Sequence, residues 1–242
     1  MLFGFQQDGK RKIIPVESCV IAQKVISSAL PELRRQAVAR LPEDYRVANV
    51  VVKTGDDQRL YWGGIGQGSL RLAPSDYLWT EIHGIRIHYS LDSFFQANLS
   101  ILPRVMEVIQ SLIGFDSGTR FLDLYAGVGL FGIYVSKVFG ARVHMVESSR
   151  SSVELMKFNA LYHQLGNVVL KEASLEDAWP EMAREVESES CVALVDPPRK
   201  GLSEQARNLL LGARFLKGLL YLSCSPVSLM EDLKHFLAKG WS

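Results

Sequence analysis

A cysteine at the end of an apolar stretch is the first residue with the chemistry of a nucleophile. Cys224 ends the run LKGLLYLSC, and Ser225 separates it from Pro226, where the segment PVSLMEDLKHFLAKG predicts a helix. A buried cysteine is usually inert packing, whereas a cysteine at the mouth of a strand and before a helix N-terminus has its thiolate favoured. The position of Cys224 by itself supports a role as nucleophile and a role as packing residue equally.

Three carboxylates are predicted at the ends of strands. Asp123 lies in FLDLYAGVGLFG with Gly127 and Gly129, Glu147 ends ARVHMVE, and Asp196 lies in VDPPRKG. Glycines let the backbone approach a ligand, and an acid about 20 residues on can accept both ribose hydroxyls. Neither a P-loop nor a strict GxGxxG fingerprint fits this spacing. Acids without a basic phosphate cradle predict a ligand with a ribose and no pyrophosphate, which S-adenosylmethionine satisfies.

The segment DPPRKG follows a predicted strand and carries both charge and rigidity. Ligands of doubly wound sheets bind outside the carboxyl ends of the strands, so Asp196 is expected to face that crevice. The two prolines stiffen the loop and remove two amide donors. Arg199 and Lys200 add positive charge, and for Lys200 a surface ion pair explains the residue equally well.

Composition excludes several classes of protein. The chain has 242 residues, 48% of them hydrophobic, and a net charge of +1, which gives no overall signal for nucleic acid although a local patch can sit on a neutral protein. Its three cysteines, Cys19, Cys191 and Cys224, form no CxxC pair, so no disulfide scaffold and no metal site are predicted. Cys191 is expected to be packing. Without a long apolar run or a signal peptide, a cytoplasmic protein is expected.

The elements that must position these residues fall into two predicted parts. Residues 1–90 combine a short strand, a helix over about 18–41 and the strand-like pieces RVANVVVK, QRLYWGG and IRIHYS, which predict an α+β subdomain with antiparallel strands. Residues 91–242 begin with a helix in SFFQANLSILPRVMEVIQSLIG and then alternate strands and helices. This alternation predicts an α/β fold with a doubly wound, mainly parallel, Rossmann-like sheet.

The five strands of that sheet are predicted in TRFLDLYA, ARVHMVE, NVVLKEA, CVALVDPP and KGLLYLSC. The helix after the second strand is expected to begin with serine caps in SSRSS and to stop at Gly166. Another helix is predicted in SEQARNLLLGA. Cys224 is then expected to end the fifth strand and to open onto the crevice that Asp196 faces.

Four of these segments together resemble the RNA 5-methyluridine (uracil-5) methyltransferases, which use S-adenosylmethionine and act on tRNA or 23S rRNA. SFFQAN is similar to their F-x-Q-x-N segment, DLYAGVGLFG to their cofactor loop, and DPPRKG and SCSP to their DPPR-x-G and S-C-N-P motifs. Order and spacing agree from about residue 90 to 240. Residues 1–90 resemble the central RNA-contacting subdomain of that family. The four motifs together are specific, whereas any single one is not.

The resemblance implies a covalent mechanism with Cys224 as the nucleophile. Carbon 5 of uridine is a poor nucleophile, and a thiolate that adds to carbon 6 makes carbon 5 enolate-like and able to take up a methyl group. A base then removes the carbon 5 proton, and elimination releases the enzyme. The target base must leave its stack, and Phe94 or Phe95 is a candidate to support it, with the core as the alternative for both.

The expected contacts follow from the motifs and from the resemblance. The predicted cofactor contacts are Gln96, Asp123, Tyr125, Gly127, Gly129, Glu147, Ser174 and Asp196, and the predicted substrate contacts are Phe94 and Arg199. RNA is the expected partner, and no membrane is expected.

The chain also departs from the family pattern. The resemblance does not extend to the N-terminal barrel domain with which the family often begins or to the C-terminal segment with its catalytic glutamate, so we expect a truncated member without its general base, with the fifth strand as an exposed edge. Only Cys19 matches the four cysteines that hold an iron–sulfur cluster in some members, so no cluster is expected in this chain. Ser225 stands where the family usually has Asn, and Leu130 replaces a polar residue that is found in some members.

Two alternative functions stay open. A cytosine-5 RNA methyltransferase uses the same cofactor and a thiol, but many of these enzymes carry a second cysteine where this chain reads DPPR. A non-catalytic remnant that binds RNA or S-adenosylmethionine agrees with the missing base and the near-neutral charge. Methyl transfer to carbon 5 of a uridine is the prediction.

Overall fold

Two compact units make up the chain. The computed structural model describes residues 2–7, 9–10, 12–45, 47–66, 68–113 and 118–241. One unit comprises Met1–Thr80 and Tyr89–Asp92, and the other comprises Glu81–His88 and Ser93–Ser242. Four residues that bound predicted segments lie outside the described ones. They are Met1 and Ser242 at the two ends of the predicted parts, Arg46 at the start of the predicted strand RVANVVVK, and Gly114 at the end of the predicted lead-in helix.

The first unit combines one helix with short antiparallel strand pairs. Its elements are β1 (Gly4–Gln6), β2 (Ile13–Pro15), α1 (Lys24–Arg40), β3 (Val51–Thr54) and β4 (Leu60–Gly63). β1 pairs with β2 and β3 with β4, both antiparallel. The strands β5 (Leu78–Ile82) and β6 (Ile85–Tyr89) form a further pair along the chain where the units meet in sequence. The antiparallel α+β character predicted for this part is present in β1–β4 and α1.

Two predictions for this region are wrong. The helix begins at Lys24 and not near residue 18, because the backbone amide of Cys19 donates to Ser27 Oγ at 2.9 Å and holds the preceding segment against the first turn as a loop. No strand is predicted at β5, although Leu78 and Thr80 alternate with less buried neighbours. That period-two pattern is the strand signal that the prediction overlooked.

The second unit contains a five-stranded parallel sheet, which confirms the predicted α/β class. Its elements are α2 (Leu102–Leu112), β7 (Thr119–Leu124), α3 (Leu130–Phe139), β8 (Arg142–Glu147), α4 (Arg150–Tyr162), β9 (Val168–Glu172), α5 (Leu175–Val186), β10 (Ser190–Val195), α6 (Glu204–Gly212), β11 (Leu216–Tyr221) and α7 (Pro226–Ala238). The strand order is β11-β10-β7-β8-β9. β7 is central and apolar because helices cover both faces of a parallel sheet. The order reverses beside β7, so a ligand crevice is expected at the carboxyl ends of β7 and β10.

Several element boundaries in this unit differ from the prediction. The lead-in helix is confined to α2, after a short 3-10 turn at Leu99–Ile101. α4 ends at Tyr162 and not at Gly166, because Gln164 takes a φ of 54° and its amide bonds Leu161 O while that of Leu165 bonds Ala160 O. This pattern is a Schellman motif that needs no glycine.

The helix α5 is not among the predicted helices. Its buried residues follow a helical spacing, at Leu175, Ala178, Trp179, Met182 and Val186. They pack into one apolar cluster with residues of β7, β10 and α6. None of the helices in the described ranges is long and apolar enough to cross a membrane.

A partly buried polar network lies at the amino-terminal end of the sheet, opposite the crevice. Arg120 donates twice to Glu189, at 2.6 and 2.8 Å, and its Nη1 lies 3.2 Å from His144 Nδ1. His144 Nε2 lies 2.9 Å from Glu185 Oε2. The His144 side chain is 0% exposed, and burial lowers its pKa although the hydrogen bond with Glu185 opposes this. Burial therefore favours the neutral imidazole of His144 in the folded chain.

We expect acid to destabilise the fold through this residue. The folded-state pKa of His144 is below its ordinary value of 6.5, so the unfolded chain takes up the proton first and stability is lost as pH falls through 6.5. One such group contributes up to about 1.4 kcal/mol per pH unit. The His144→Gln variant should unfold with a smaller pH slope between pH 7 and 5.5, measured by urea denaturation at each pH.

The matched control is His235→Gln, since His235 is exposed on α7. It should keep the slope of the unchanged chain. An unchanged slope in His144→Gln would show that this imidazole does not titrate differently in the folded and unfolded states.

Candidate functional site

A cavity of about 680 Å³ opens in the second unit at the carboxyl ends of the strands. Loops after β7, β8, β10 and β11 and the segment Phe94–Ala97 line it. Its walls include the predicted residues Phe94, Gln96, Tyr125, Gly127, Glu147, Asp196, Arg199 and Cys224. The size is typical of a small-molecule site. Asp123, Gly129 and Ser174 lie outside this lining.

The turn between β7 and α3 is built on unusual backbone angles. Tyr125 has a φ of 82°, which is uncommon for a residue with a side chain, and Gly127 and Gly129 have φ values of 55° and 87°. The amides of Tyr125 and Ala126 both donate to Val146 O, at 3.0 and 2.9 Å. A Cβ on Gly127 would meet no atom within 4 Å, so this glycine leaves open space beside the cavity. Gly129 is instead the N-cap of α3.

Glu147 connects two of the loops that form the cavity. Its Oε2 accepts the amide of Gly127 at 2.9 Å, and its Oε1 accepts the amide of Ser149 at 2.6 Å. These bonds fix the orientation of the carboxylate at the end of β8. Each oxygen retains a further lone pair for a ligand hydroxyl.

Asp123 lies beneath the glycine turn. Its Oδ2 accepts the amide of Gly132 at 2.7 Å, while its Oδ1 is buried without a partner. Burial raises the pKa of Asp123 to about 7, the Gly132 bond opposes this, and the charges of Asp196 and Glu147 add to the rise. The carboxyl group therefore holds the start of α3 and responds to charge in the cavity.

Asp196 follows the last residue of β10 and faces the cavity with a defined partner. Gln96 Nε2 donates to Asp196 Oδ2 at 2.8 Å, which fixes the Phe94–Ala97 segment against the loop after β10. Burial raises the pKa of Asp196, and this hydrogen bond opposes the rise. The pair presents both an acceptor and a donor to a ligand.

Cys224 is exposed in the cavity wall, but it does not end the strand as predicted. β11 ends at Tyr221, and Cys224 lies in a turn in which Ser225 N donates to Ser223 Oγ at 3.0 Å. This turn separates the thiol from the sheet and leads into α7. Cys191 differs completely, since it is fully buried in β10 and burial raises the pKa of its thiol to about 11.

Three serines lie at or near the starts of α4 and α5. Ser174 caps α5, where its Oγ accepts the amide of Asp177 at 3.1 Å. Ser149 is at the N-cap position of α4, but its side chain makes no capping bond, so the predicted serine cap is wrong there. Ser149 and Ser152 line the cavity instead. Their position directly after β8 is the signal that would have found them.

Comparisons with known proteins agree on one family. Residues 75–239 match the model of the tRNA (uracil-5-)-methyltransferase family. An uncharacterized RNA methyltransferase of Aquifex aeolicus is 25% identical over 98% of this chain and 61% of its own length. The 23S rRNA (uracil(747)-C(5))-methyltransferase of Pyrococcus horikoshii is 29% identical over 87% of this chain and 49% of its own length. The chain thus spans about half to three fifths of these relatives.

A solved structure shares the fold. The Pyrococcus abyssi tRNA (uracil-54, C5)-methyltransferase, in complex with S-adenosyl-L-homocysteine, has a TM-score of 0.67 and 21% identity, and the match covers 93% of this chain and 64% of that one. At this identity the likeness supports the fold alone.

We expect Asp123 to make the fold less stable as pH rises. Its folded-state pKa of about 7 lies above its ordinary 3.8, so the folded chain keeps a proton that the unfolded chain has lost, and stability falls between these values. Between pH 5 and 8 this removes about 3 kcal/mol from the free energy of unfolding. The Asp123→Asn variant should lack this fall in urea denaturation.

The control for this experiment is Asp44→Asn, which changes an exposed carboxylate in the first unit. Its pH profile should follow that of the unchanged chain. If Asp123→Asn also follows that profile, Asp123 is ionised in the folded protein throughout the range.

Proposed function

The chain belongs to the tRNA (uracil-5-)-methyltransferase family, and we propose that it binds S-adenosylmethionine and methylates carbon 5 of a uridine in tRNA or 23S rRNA. One observation carries this proposal: the exposed thiol of Cys224 lines the same cavity as Glu147, Asp196 and the glycine turn. A thiol beside a nucleoside-binding edge is the arrangement that covalent activation of a pyrimidine requires.

The residues around the cavity fit the cofactor. Glu147 is oriented by two backbone amides and suits the two ribose hydroxyls, while Gly127 leaves room for a ligand close to the backbone. Asp196 and the ring of Tyr125 suit the positively charged parts of the molecule. S-adenosylmethionine would supply a methyl group on a positively charged sulfur.

Cys224 performs the covalent step of the proposed reaction. Its thiolate sulfur forms a bond with carbon 6 of the uridine, and the electron pair of the carbon 5–carbon 6 double bond moves to give an enolate. Carbon 5 is then nucleophilic enough to accept a methyl group. Loss of the carbon 5 proton to a general base and breakage of the sulfur–carbon 6 bond regenerate the thiolate and the double bond.

The substrate side of the cavity is aromatic and basic. Phe94 is 69% exposed and lines the cavity, so one face of its ring is available to stack on a base that has left its helix. Arg199 is exposed in the loop after Asp196, where its guanidinium suits a phosphate of the RNA. These two residues are the proposed RNA contacts of the cavity.

We expect Cys224 to form a stable adduct with RNA that contains 5-fluorouridine. Fluorine at carbon 5 cannot leave as a proton does, so the bond between sulfur and carbon 6 persists after methyl transfer. Transcripts of tRNA and of 23S rRNA domains, incubated with the chain and methyl-labelled S-adenosylmethionine, should give a labelled protein–RNA band in denaturing gels. Cys224→Ala should abolish the band, and Cys19→Ala should retain it.

Two results would contradict this assignment. A band that survives in Cys224→Ala would place the nucleophile elsewhere. The absence of a band in the unchanged chain, with normal binding of S-adenosylhomocysteine, would instead support a binding protein without catalysis.

Cofactor binding is tested separately through Glu147. The Glu147→Gln variant removes the charge and one acceptor for the ribose, and we expect S-adenosylhomocysteine to bind about tenfold more weakly, or about 1.4 kcal/mol. Isothermal titration measures this. Glu154→Gln, an exposed change on α4, should leave the affinity unchanged. Equal affinities for the two variants would contradict the placement of the ribose at Glu147.

A further inference from the structure

The backbone pairing between β10 and β11 stops just before Asp196 and Cys224, which both line the cavity. The last of these bonds among the described residues runs from Leu222 N to Val195 O at 2.9 Å. Asp196 is one residue beyond it and Cys224 two residues beyond it. The two loops therefore leave the sheet without a shared backbone ladder, and side-chain contacts must set the distance between them.

Asp232 of α7 makes such contacts with both loops. Its Oδ2 accepts the amide of Leu202, which ends the loop after Asp196, at 2.9 Å, and also accepts the hydroxyl of Tyr221 at 2.5 Å. Its Oδ1 accepts Arg207 Nη1 at 2.7 Å. The residue is 1% exposed. Burial by itself raises the pKa of Asp232, but these three bonds outweigh it and hold the pKa below its usual value.

The loop after β10 is pressed against this carboxylate. Gly201 has a φ of 78°, and a Cβ there would lie 2.6 Å from Asp232 Oδ2. The amide of Gly201 donates to Pro198 O at 2.8 Å and closes the turn that carries Arg199. The position thus requires glycine for both its backbone angle and its close approach to Asp232.

The Cys224 loop is tied to the same oxygen through Tyr221. Tyr221 is the last residue of β11, so Leu222 and Ser223 alone separate it from Cys224. The Ser223–Ser225 turn shortens this connection further. A shift of Tyr221 is therefore passed to the thiol over a short, hydrogen-bonded stretch of chain.

We propose that Asp232 is a positioning residue, whose single oxygen Oδ2 holds the Asp196 loop and the Cys224 loop at the separation that methyl transfer needs. This inference rests on the proposed function. Asp232 does not line the cavity, so it acts on the cavity through Leu202 and Tyr221.

The test removes one of the two ties and leaves the carboxylate in place. The Tyr221→Phe variant loses only the hydroxyl, so we expect it to fold. The Asp232→Ala variant loses all three bonds of the carboxylate and is at risk of failing to fold. The matched control is Ser136→Ala, which loses a buried hydroxyl that donates to Asn167 Oδ1 at 2.9 Å and is not part of the cavity wall. Both variants are compared with the unchanged chain.

The readouts are the rate of adduct formation with 5-fluorouridine RNA at saturating S-adenosylmethionine, the affinity for S-adenosylhomocysteine, and hydrogen exchange of peptides 197–203 and 222–226. We expect Tyr221→Phe to form the adduct at least tenfold more slowly, to keep its affinity within twofold, and to exchange faster in peptide 222–226, while peptide 197–203, which keeps its Leu202 tie, exchanges as before. Ser136→Ala should change neither the adduct rate nor these peptides.

Equal adduct rates for Tyr221→Phe and Ser136→Ala would overturn the inference, and so would unchanged exchange in peptide 222–226. If the unchanged chain forms no adduct, the proposed function fails by itself. Hydrogen exchange then decides separately whether Asp232 holds the two loops together.

Discussion

The register of the central strand against its neighbours is the constraint on which the cavity depends. Leu124 of β7 pairs with Val195 of β10 and with Val146 of β8, so β7 and β10 end at one level and β8 runs one residue further, to Glu147. The next residues, among them Tyr125 and Asp196, therefore leave the sheet side by side. Because side chains alternate between the faces of a sheet, a slip of one residue would reverse this arrangement along a whole strand.

Negative charge is concentrated at this edge, and each carboxylate is held differently. Backbone amides orient Glu147, a glutamine amide orients Asp196, and Asp123 is buried with one oxygen unpaired. Burial raises the pKa of Asp123, and the charges of Asp196 and Glu147 add to this rise. A positively charged ligand would relieve that repulsion, which is why the edge suits a sulfonium compound better than a nucleotide with a pyrophosphate.

Local sequence patterns predicted the sheet well and several boundaries poorly. The apolar strand runs and the glycine turn are strong signals, because a buried parallel strand and a positive φ tolerate few residue types. The end of α4 was misplaced because Gln164 adopts the backbone angle that Gly166 was expected to supply. Likewise, nothing local shows that the side chain of Ser149 leaves the cap position unused.

The sequence by itself predicted which residues could carry chemistry and placed Glu147 and Asp196 at strand ends, since motif spacing and strand periodicity are local properties. Residue type does not separate Cys224 from Cys191, but their predicted positions do, and the fold agrees, since it exposes the Cys224 thiol and buries that of Cys191. The tertiary structure alone decided that Asp232, distant in sequence from Gly201, meets that loop and Tyr221 at one oxygen. Such a contact depends on how α7 packs beside the sheet, and packing between elements leaves no periodic trace in the chain.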